Sequence, residues 1–392
     1  MKEVYAILWE DGRRSSSNES DDRSRLDEPA AQKSGRTHLE FDTLDEAAAV
    51  DIERAPQVRV ISPVMETLLI APVSAAAATV GVGQWGIDAT GAARSRFTGK
   101  GVIAAVLDTG IERSHACFAG MNIREKDFTG AGDGDENGHG THCAGIFFGR
   151  SVAGTRYGVA PGVETALIGK VLGQDGRGTT QSIFEGLNWA IDQRANIISM
   201  SLNIDFPGQV ARLVKNGLPA ELATSRALDD YRRTFRMFEA IISKAGVGEE
   251  FENISLVVAA TGNESRRDVD RDFRIAGGAV AAASDLSVAA VKNGSPKLGI
   301  ASFSNSRPDL VAPGVGISSA WIGNSFRSLD GTSMACPHVA GIGALWLESM
   351  RKSGDYTTRT TLKSNLIAHA RRDVLASGLE PVDVGSGLVT AP

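Results

Sequence analysis

Strand-like apolar runs at Val102–Leu107, Glu164–Val171, Asn196–Leu202, Ile254–Ala260 and Ser287–Val291 alternate along this chain with segments of helical periodicity. The helical segments are His142–Phe148, Thr180–Gln193, Ala227–Lys244 and Pro337–Met350. A run with few polar interruptions has no face to give to water, so it belongs in a sheet covered on both sides. Strands alternating with helices build parallel βαβ units, so the expected class is α/β in three layers. Ala279–Ala283 reads as one further strand.

In such sheets, ligand sites collect at the carboxyl ends of the strands. The run Gly101–Leu107 ends in Asp108, followed by Thr109-Gly110. Alone, that aspartate reads as a turn carboxylate or as a catalytic one. Asn137-Gly138-His139-Gly140-Thr141-His142-Cys143 sets a histidine between glycines, ahead of small residues suited to a tightly packed helix. Gly331-Thr332-Ser333-Met334-Ala335-Cys336-Pro337-His338 places a serine between a turn and an apolar helix. Such a serine is either an N-cap or a nucleophile lying among the unpaired N–H groups of a helix start. The three together fill three roles: a carboxylate orients an imidazole, which takes the proton of an attacking hydroxyl. His142 and His338 read as packing or orienting residues.

On these motifs, in the order Asp108, His139, Ser333, the chain resembles the subtilisin-like serine proteases, the subtilase superfamily or peptidase S8. The resemblance runs from about Trp85 to Leu388. It extends to Val257-Val258-Ala259-Ala260-Thr261-Gly262-Asn263-Glu264, Ser302-Phe303-Ser304-Asn305 and Ala312-Pro313-Gly314-Val315. It implies a mostly parallel central sheet of about seven strands and a serine endopeptidase working through an acyl-enzyme at Ser333. Asn263 would supply the side-chain donor of the oxyanion hole. Gly176, Arg177 and Gly178 would flank one side of an extended peptide, and Ser199, Met200, Ser201, Leu202 and Asn203 the other. The glycines would let two backbones approach. The family usually has glycine where Asn203 stands, so a side chain there should narrow the primary specificity pocket. An insertion of roughly Asp205–Asp230, reading as one or two short helices, is a lid, a specificity wall, a partner surface or a passive elaboration. A catalytically silent peptide-binding regulator, or a maturation protease with one dedicated substrate, are the alternative functions.

Ahead of this region the chain reads as a β-loop-α-β unit: a strand over residues 1–10, a polar loop over Asp11–Arg36 and a helix starting near Phe41 with a Thr43…Glu46 capping box. A strand over Val58–Ile70, broken by Pro63, completes it. That pattern is similar to the inhibitory propeptides of the family, with the polar loop as a departure. The expected division is 1–78, an α+β propeptide-like domain, and 79–392, the catalytic domain. The resemblance implies that the N-terminal region is an intramolecular inhibitor, with self-cleavage expected in the small-residue window Ser74–Val80. The remaining possibility is a permanent domain that is never cut.

Net charge is −6 over 392 residues with acids and bases interspersed, so no nucleic-acid partner is expected. No run approaches the length of a membrane span, and no membrane partner is expected. Glu3 and Glu10 interrupt the opening residues, which lack the apolar stretch of a signal peptide, and the expected location is cytoplasmic. The three cysteines, Cys117, Cys143 and Cys336, are too few for a disulfide framework and read as buried small hydrophobes, or as sites of thiol sensitivity. No cofactor is expected for the chemistry and no metal ligand is assigned. Structural calcium fits the family without identified ligands, and Asp133-Gly134-Asp135-Glu136-Asn137 reads as a polar loop rather than an EF-hand.

Overall fold

The computed structural model describes residues 2–10, 37–77, 84–244 and 254–392. The polar loop expected at Asp11–Arg36 lies outside these residues. The N-terminal unit is an antiparallel sheet of β1 (Glu3–Glu10), β2 (Thr37–Leu44) and β3 (Val58–Pro63), in the order β2-β1-β3. Helix α1 (Glu46–Glu53) crosses one face. β1 is apolar on both faces and buried on both. Tyr5 and Ile7 pack with Ala49 and Ile52 of α1, while Ala6 and Leu8 pack into a core shared with the larger domain. The helix cap differs from expectation. Asp45, not Thr43, accepts from the Ala48 N–H, and Thr43 stays in β2 because its backbone pairs with Val4.

Beyond Pro63 the chain leaves this sheet and enters the larger domain as β4 (Glu66–Leu69) and β5 (Ser74–Ala77), followed by α2 (Trp85–Ala89). The central sheet contains β6 (Ile103–Asp108), β7 (Asn122–Asp127), β8 (Thr165–Lys170), β10 (Ile197–Met200), β12 (Leu256–Ala260), β13 (Leu286–Lys292) and β15 (Leu310–Pro313). These seven pair in parallel, and the short β14 (Gly299–Ile300) adds one antiparallel edge. The path through the sheet is β14-β13-β12-β10-β6-β8-β7, with β15 beside β13. One face carries α3 (His139–Phe148) and α8 (Thr332–Ser353), the other α4 (Thr180–Asp192) and α6 (Ala220–Lys244). The inner strands are buried on both faces, as their lack of polar alternation requires.

Ala279–Ala283 forms a helix, α7, rather than a strand. Its four alanines favour a helix, and an apolar run this short does not distinguish the two by pattern alone. The inserted segment becomes α5 (Phe206–Lys215) and the first turns of α6, which then continues unbroken into the helix expected from Ala227. Four short strands complete the rims: β9 (Arg177–Thr179), β11 (Leu202–Ile204) and the hairpin pair β16 (Ile317–Trp321) and β17 (Ser325–Asp330), the last of which pairs antiparallel with β5. Among the described residues, no helix is long and apolar enough to cross a membrane.

Candidate active site

Asp108 is the last residue of β6, His139 the first of α3 and Ser333 the second of α8, so sheet and helices bring three distant points of the chain to one rim. The Asp108 Oδ1 accepts from His139 Nδ1 at 2.8 Å and from the Thr109 N–H at 2.8 Å, with both side chains about 1% exposed. A carboxylate oxygen already receiving a backbone N–H leaves the proton on Nδ1, so Nε2 carries the lone pair. Among the described residues, Nε2 has no hydrogen-bond partner.

The N-cap of α8 is Gly331 and no side chain caps this helix, so Ser333 is not the cap that its position before the helix also permits. Pro337, inside the first turns, has no N–H to return to the Ser333 carbonyl four residues back. That carbonyl instead accepts from Cys143 Sγ at 3.4 Å and Ser201 Oγ at 3.4 Å. Cys143 also lies 3.7 Å from His139 Nδ1, so one thiol touches both the imidazole and the serine backbone. Burial drives its pKa well up and that of Cys336 to about 11, which keeps both thiols protonated and inert. Asp108, His139 and Cys143 are the one group of close donors of metal-binding type among the described residues. Two of the three are already bonded to each other.

Asp135 binds the two loops together, and sequence reading missed it. Its Oδ1 accepts from Thr109 Oγ1 and from the Asn137 and Gly138 N–H groups, at 2.8–3.0 Å. Its Oδ2 accepts from the Thr141 N–H at 2.9 Å and Thr141 Oγ1 at 2.6 Å. Thr109 Oγ1 in turn receives the Gly140 N–H. The turn after Asp108 and the start of the His139 helix are thus held by one carboxylate, and a Cβ at Gly140 would fall 2.2 Å from the Gly110 carbonyl. With both oxygens saturated by donors, Asp135 has no lone pair turned toward a cation. The only sequence signal was an acid four residues before a glycine-flanked histidine.

Asn263 follows β12. Its Oδ1 accepts from the Thr332 N–H and Oγ1, each at 2.9 Å, which fixes the amide so that Nδ2 faces the cleft. Nδ2 donates to the Ala71 carbonyl at 2.9 Å. His142 and His338 do not face the cleft. His142 Nε2 meets the Arg327 carbonyl at 3.0 Å, His338 Nδ1 meets that of Met334 at 2.8 Å, and burial lowers their pKa values to about 3 and about 4. Both are neutral at neutral pH.

The cleft holds the chain's own residues 66–71. β4 is zipped antiparallel between β9 and β11, with Thr67 opposite Gly178 on one side and Ile204 on the other. The Leu69 N–H donates to the Gly176 carbonyl at 2.8 Å and the Ile70 N–H to Ser201 at 3.3 Å. Gly176 has φ +74°, a conformation a side-chain-bearing residue adopts only with strain, and faces the Leu69 side chain. Ser333 Oγ donates to the Ile70 carbonyl at 2.9 Å. Gly176, Arg177, Gly178, Ser201, Leu202 and Asn203 therefore line the peptide. Ser199 and Met200 do not: they stay in β10 beneath it, and Cys336 Sγ lies against Ser199 Oγ and the Met200 carbonyl. The Asn203 side chain occupies the space above Gly278, where a Cβ would fall 2.1 Å from its Oδ1.

The small-residue window in which self-cleavage is expected, Ser74–Val80, is not the segment that meets Ser333. Ser74–Ala77 pairs with β17, residues 78–80 lie outside those described, and the carbonyl at Ser333 belongs to Ile70. Burial decides this. Leu68, Leu69 and Ile70 bring apolar surface to the cleft that an alanine run lacks, and Ile70 is 3% exposed.

The chain matches the profile described as the subtilase family over residues 99–385. It is 33% identical over 303 residues to subtilisin BL of Lederbergia lenta, spanning 75% of this chain and 95% of that protein. Subtilisin Savinase of the same organism is 32% identical over 303 residues with the same coverage. The subtilisin-like serine protease Pen c 1 of Penicillium citrinum is 32% identical over 328 residues, 77% of this chain and 67% of that protein.

Proposed function

Because the chain belongs to the subtilase family and is a serine endopeptidase, we propose that Asp108, His139 and Ser333 carry out its peptide-bond hydrolysis and that residues 2–70 hold it as a self-inhibited precursor. His139 Nε2 takes the Ser333 proton as Oγ attacks the carbonyl carbon, and Asp108 stabilises the imidazolium through Nδ1. The tetrahedral oxyanion is held by Asn263 Nδ2 and the backbone N–H of Ser333 at the helix start. Nε2 returns the proton to the leaving amine, and water then cleaves the acyl-enzyme by the same steps. No cofactor enters. Substrates are peptide segments added as a strand between β9 and β11.

The observation that carries the precursor reading is the Ile70 carbonyl on Ser333 Oγ at the end of a segment paired on both sides. The resting contact is not the attacking one. The hydroxyl proton points at the carbonyl oxygen rather than at Nε2, and Asn263 Nδ2 holds the next carbonyl along, that of Ala71. Cutting Ile70–Ala71 requires the hydroxyl to turn to Nε2 and the Ile70 carbonyl to move onto Asn263.

Intact-mass analysis of the full chain tests this. Wild type yields a fragment ending at Ile70, and Ser333→Ala stays whole. A cut elsewhere, a cut in both forms or a cut in neither refutes the precursor assignment. Labelling of Ser333 by a fluorophosphonate, abolished by His139→Ala, tests the catalytic assignment separately.

A further inference from the structure

Past Ile70 the chain's own residues continue along the rim on the far side of Ser333. The Val73 N–H donates to the Asp330 carbonyl at 2.8 Å, and β5 then pairs antiparallel with β17, Ser74 opposite Asp330 and Ala77 opposite Arg327. β17 has β16 along one edge, and among the described residues this segment alone covers the other. Little apolar burial holds it there: Ala71 and Ser74 are exposed and Val73 is 53% exposed. A strand held mainly by main-chain hydrogen bonds leaves an edge that another extended peptide can take in its place. One side-chain contact adds chemistry. Ser74 and Asp330 are direct cross-strand partners, which puts both side chains on one face. Ser74 Oγ donates to Asp330 Oδ2 at 2.7 Å, while Asp330 Oδ1 accepts the Gly316 N–H at 2.6 Å. The Gly316 backbone thus fixes the carboxylate, and its second oxygen is turned to whatever residue stands opposite.

We infer that Asp330 is a specificity-determining residue, selecting peptide substrates that carry a hydroxyl or basic side chain four residues beyond the cut bond. This rests on the precursor reading above, in which Ile70–Ala71 is the bond presented to Ser333 and Ser74 is the fourth residue after it. A substrate strand that replaces residues 73–77 on β17 brings its own fourth residue opposite Asp330. A hydroxyl, ammonium or guanidinium group there donates to Oδ2, a methyl group makes no bond, and a carboxylate meets like charge. The enzyme's own residues 71–77 stay attached after the cut and compete for this edge. They compete equally with every peptide, so the ratio of two peptides in one enzyme is free of that competition.

The test uses the full chain after self-cleavage, with fluorophosphonate labelling to count active sites. The substrates are peptides with the sequence of residues 66–77, in which Ser74 is kept or replaced by Ala, Lys or Glu. Mass spectrometry locates the cut, and kcat/KM is compared within one enzyme. The serine and lysine peptides should exceed the alanine peptide about three- to tenfold, the size of a single hydrogen bond, and the glutamate peptide should fall below it. In Asp330→Asn the Gly316 N–H holds the amide oxygen, so Nδ2 faces the strand and the order of the lysine and glutamate peptides reverses. A misfolded or weakly active variant slows both peptides and does not reverse their order. Equal kcat/KM for all four peptides in wild type overturns the inference. So does a lysine-over-glutamate preference that survives in Asp330→Asn. If wild type is never cut at Ile70–Ala71, the precursor reading fails and this inference with it, and intact mass shows this before any peptide is added.

Discussion

Thr67 sits fully buried in β4, and its Oγ1 has no hydrogen-bond partner among the described residues. Burying a hydroxyl without a partner costs about 1–3 kcal/mol by protein mutational data. Valine has the same branched shape and puts a methyl group where the hydroxyl stands. Thr67→Val should therefore favour the docked state by about 1–2 kcal/mol, roughly a 5- to 30-fold tighter hold on the cleft at tenfold per 1.4 kcal/mol. Two readouts follow. The Ser333→Ala chain should melt about 1–2.5 °C higher with Thr67→Val than without it. In the active chain the cut at Ile70–Ala71 should persist while onset of peptide hydrolysis is delayed 5- to 30-fold. Thr67→Ser, which keeps the orphaned hydroxyl and loses the methyl, should shift onset the other way. Onset in Thr67→Val as early as wild type, with an unchanged melting temperature, would refute the cost assigned to its buried, unpartnered hydroxyl.

Asn263→Ala should lower kcat by about 10²–10³ with KM little changed, a magnitude taken from subtilisin itself. A KM rise at constant kcat would instead make Asn263 a ground-state binding residue. Asp135→Asn keeps one oxygen and sets an N–H₂ group against the donors on the other side, whichever way the amide turns, so the tie between the His139 helix and the turn after Asp108 is broken on one side. The expected result is a 10- to 100-fold fall in kcat, and a kcat within threefold of wild type would remove Asp135 from its positioning role. Asp230 has a raised pKa, chiefly from burial, so its ionised form is disfavoured in the folded chain. The sign follows: Asp230→Asn gives no gain in acid, where both side chains are neutral, and a gain that grows as pH rises through the folded-state pKa. Melting temperatures at pH 4 and pH 8 check this, and an equal shift at both would refute it.

Much of the site was legible because each motif pairs a chemical group with the backbone feature that places it. Asp108 follows an apolar strand, His139 stands between glycines and Ser333 precedes a helix. What could not be read were preferences settled by neighbours. Ala279–Ala283 is equally apolar as strand or helix. Thr43 and Asp45 are both good caps, and pairing of Thr43 with Val4 decides between them. Ser199 and Met200 share a motif with Ser201, yet lie under the sheet's end and not against the peptide. Asp135 carried no signal beyond acidity, because its role depends on donors from both sides of the rim.

The order of apolar runs and glycine-flanked polar residues determined, by itself, the layered α/β class, the family and the candidate reacting groups. These depend on periodicity and chemistry that are local to short segments. Tertiary structure alone decided which stretch of the chain fills its own cleft, which bond meets Ser333 and where the inserted helices point. Those outcomes follow from competition among distant surfaces for burial, and no short window of sequence contains both competitors.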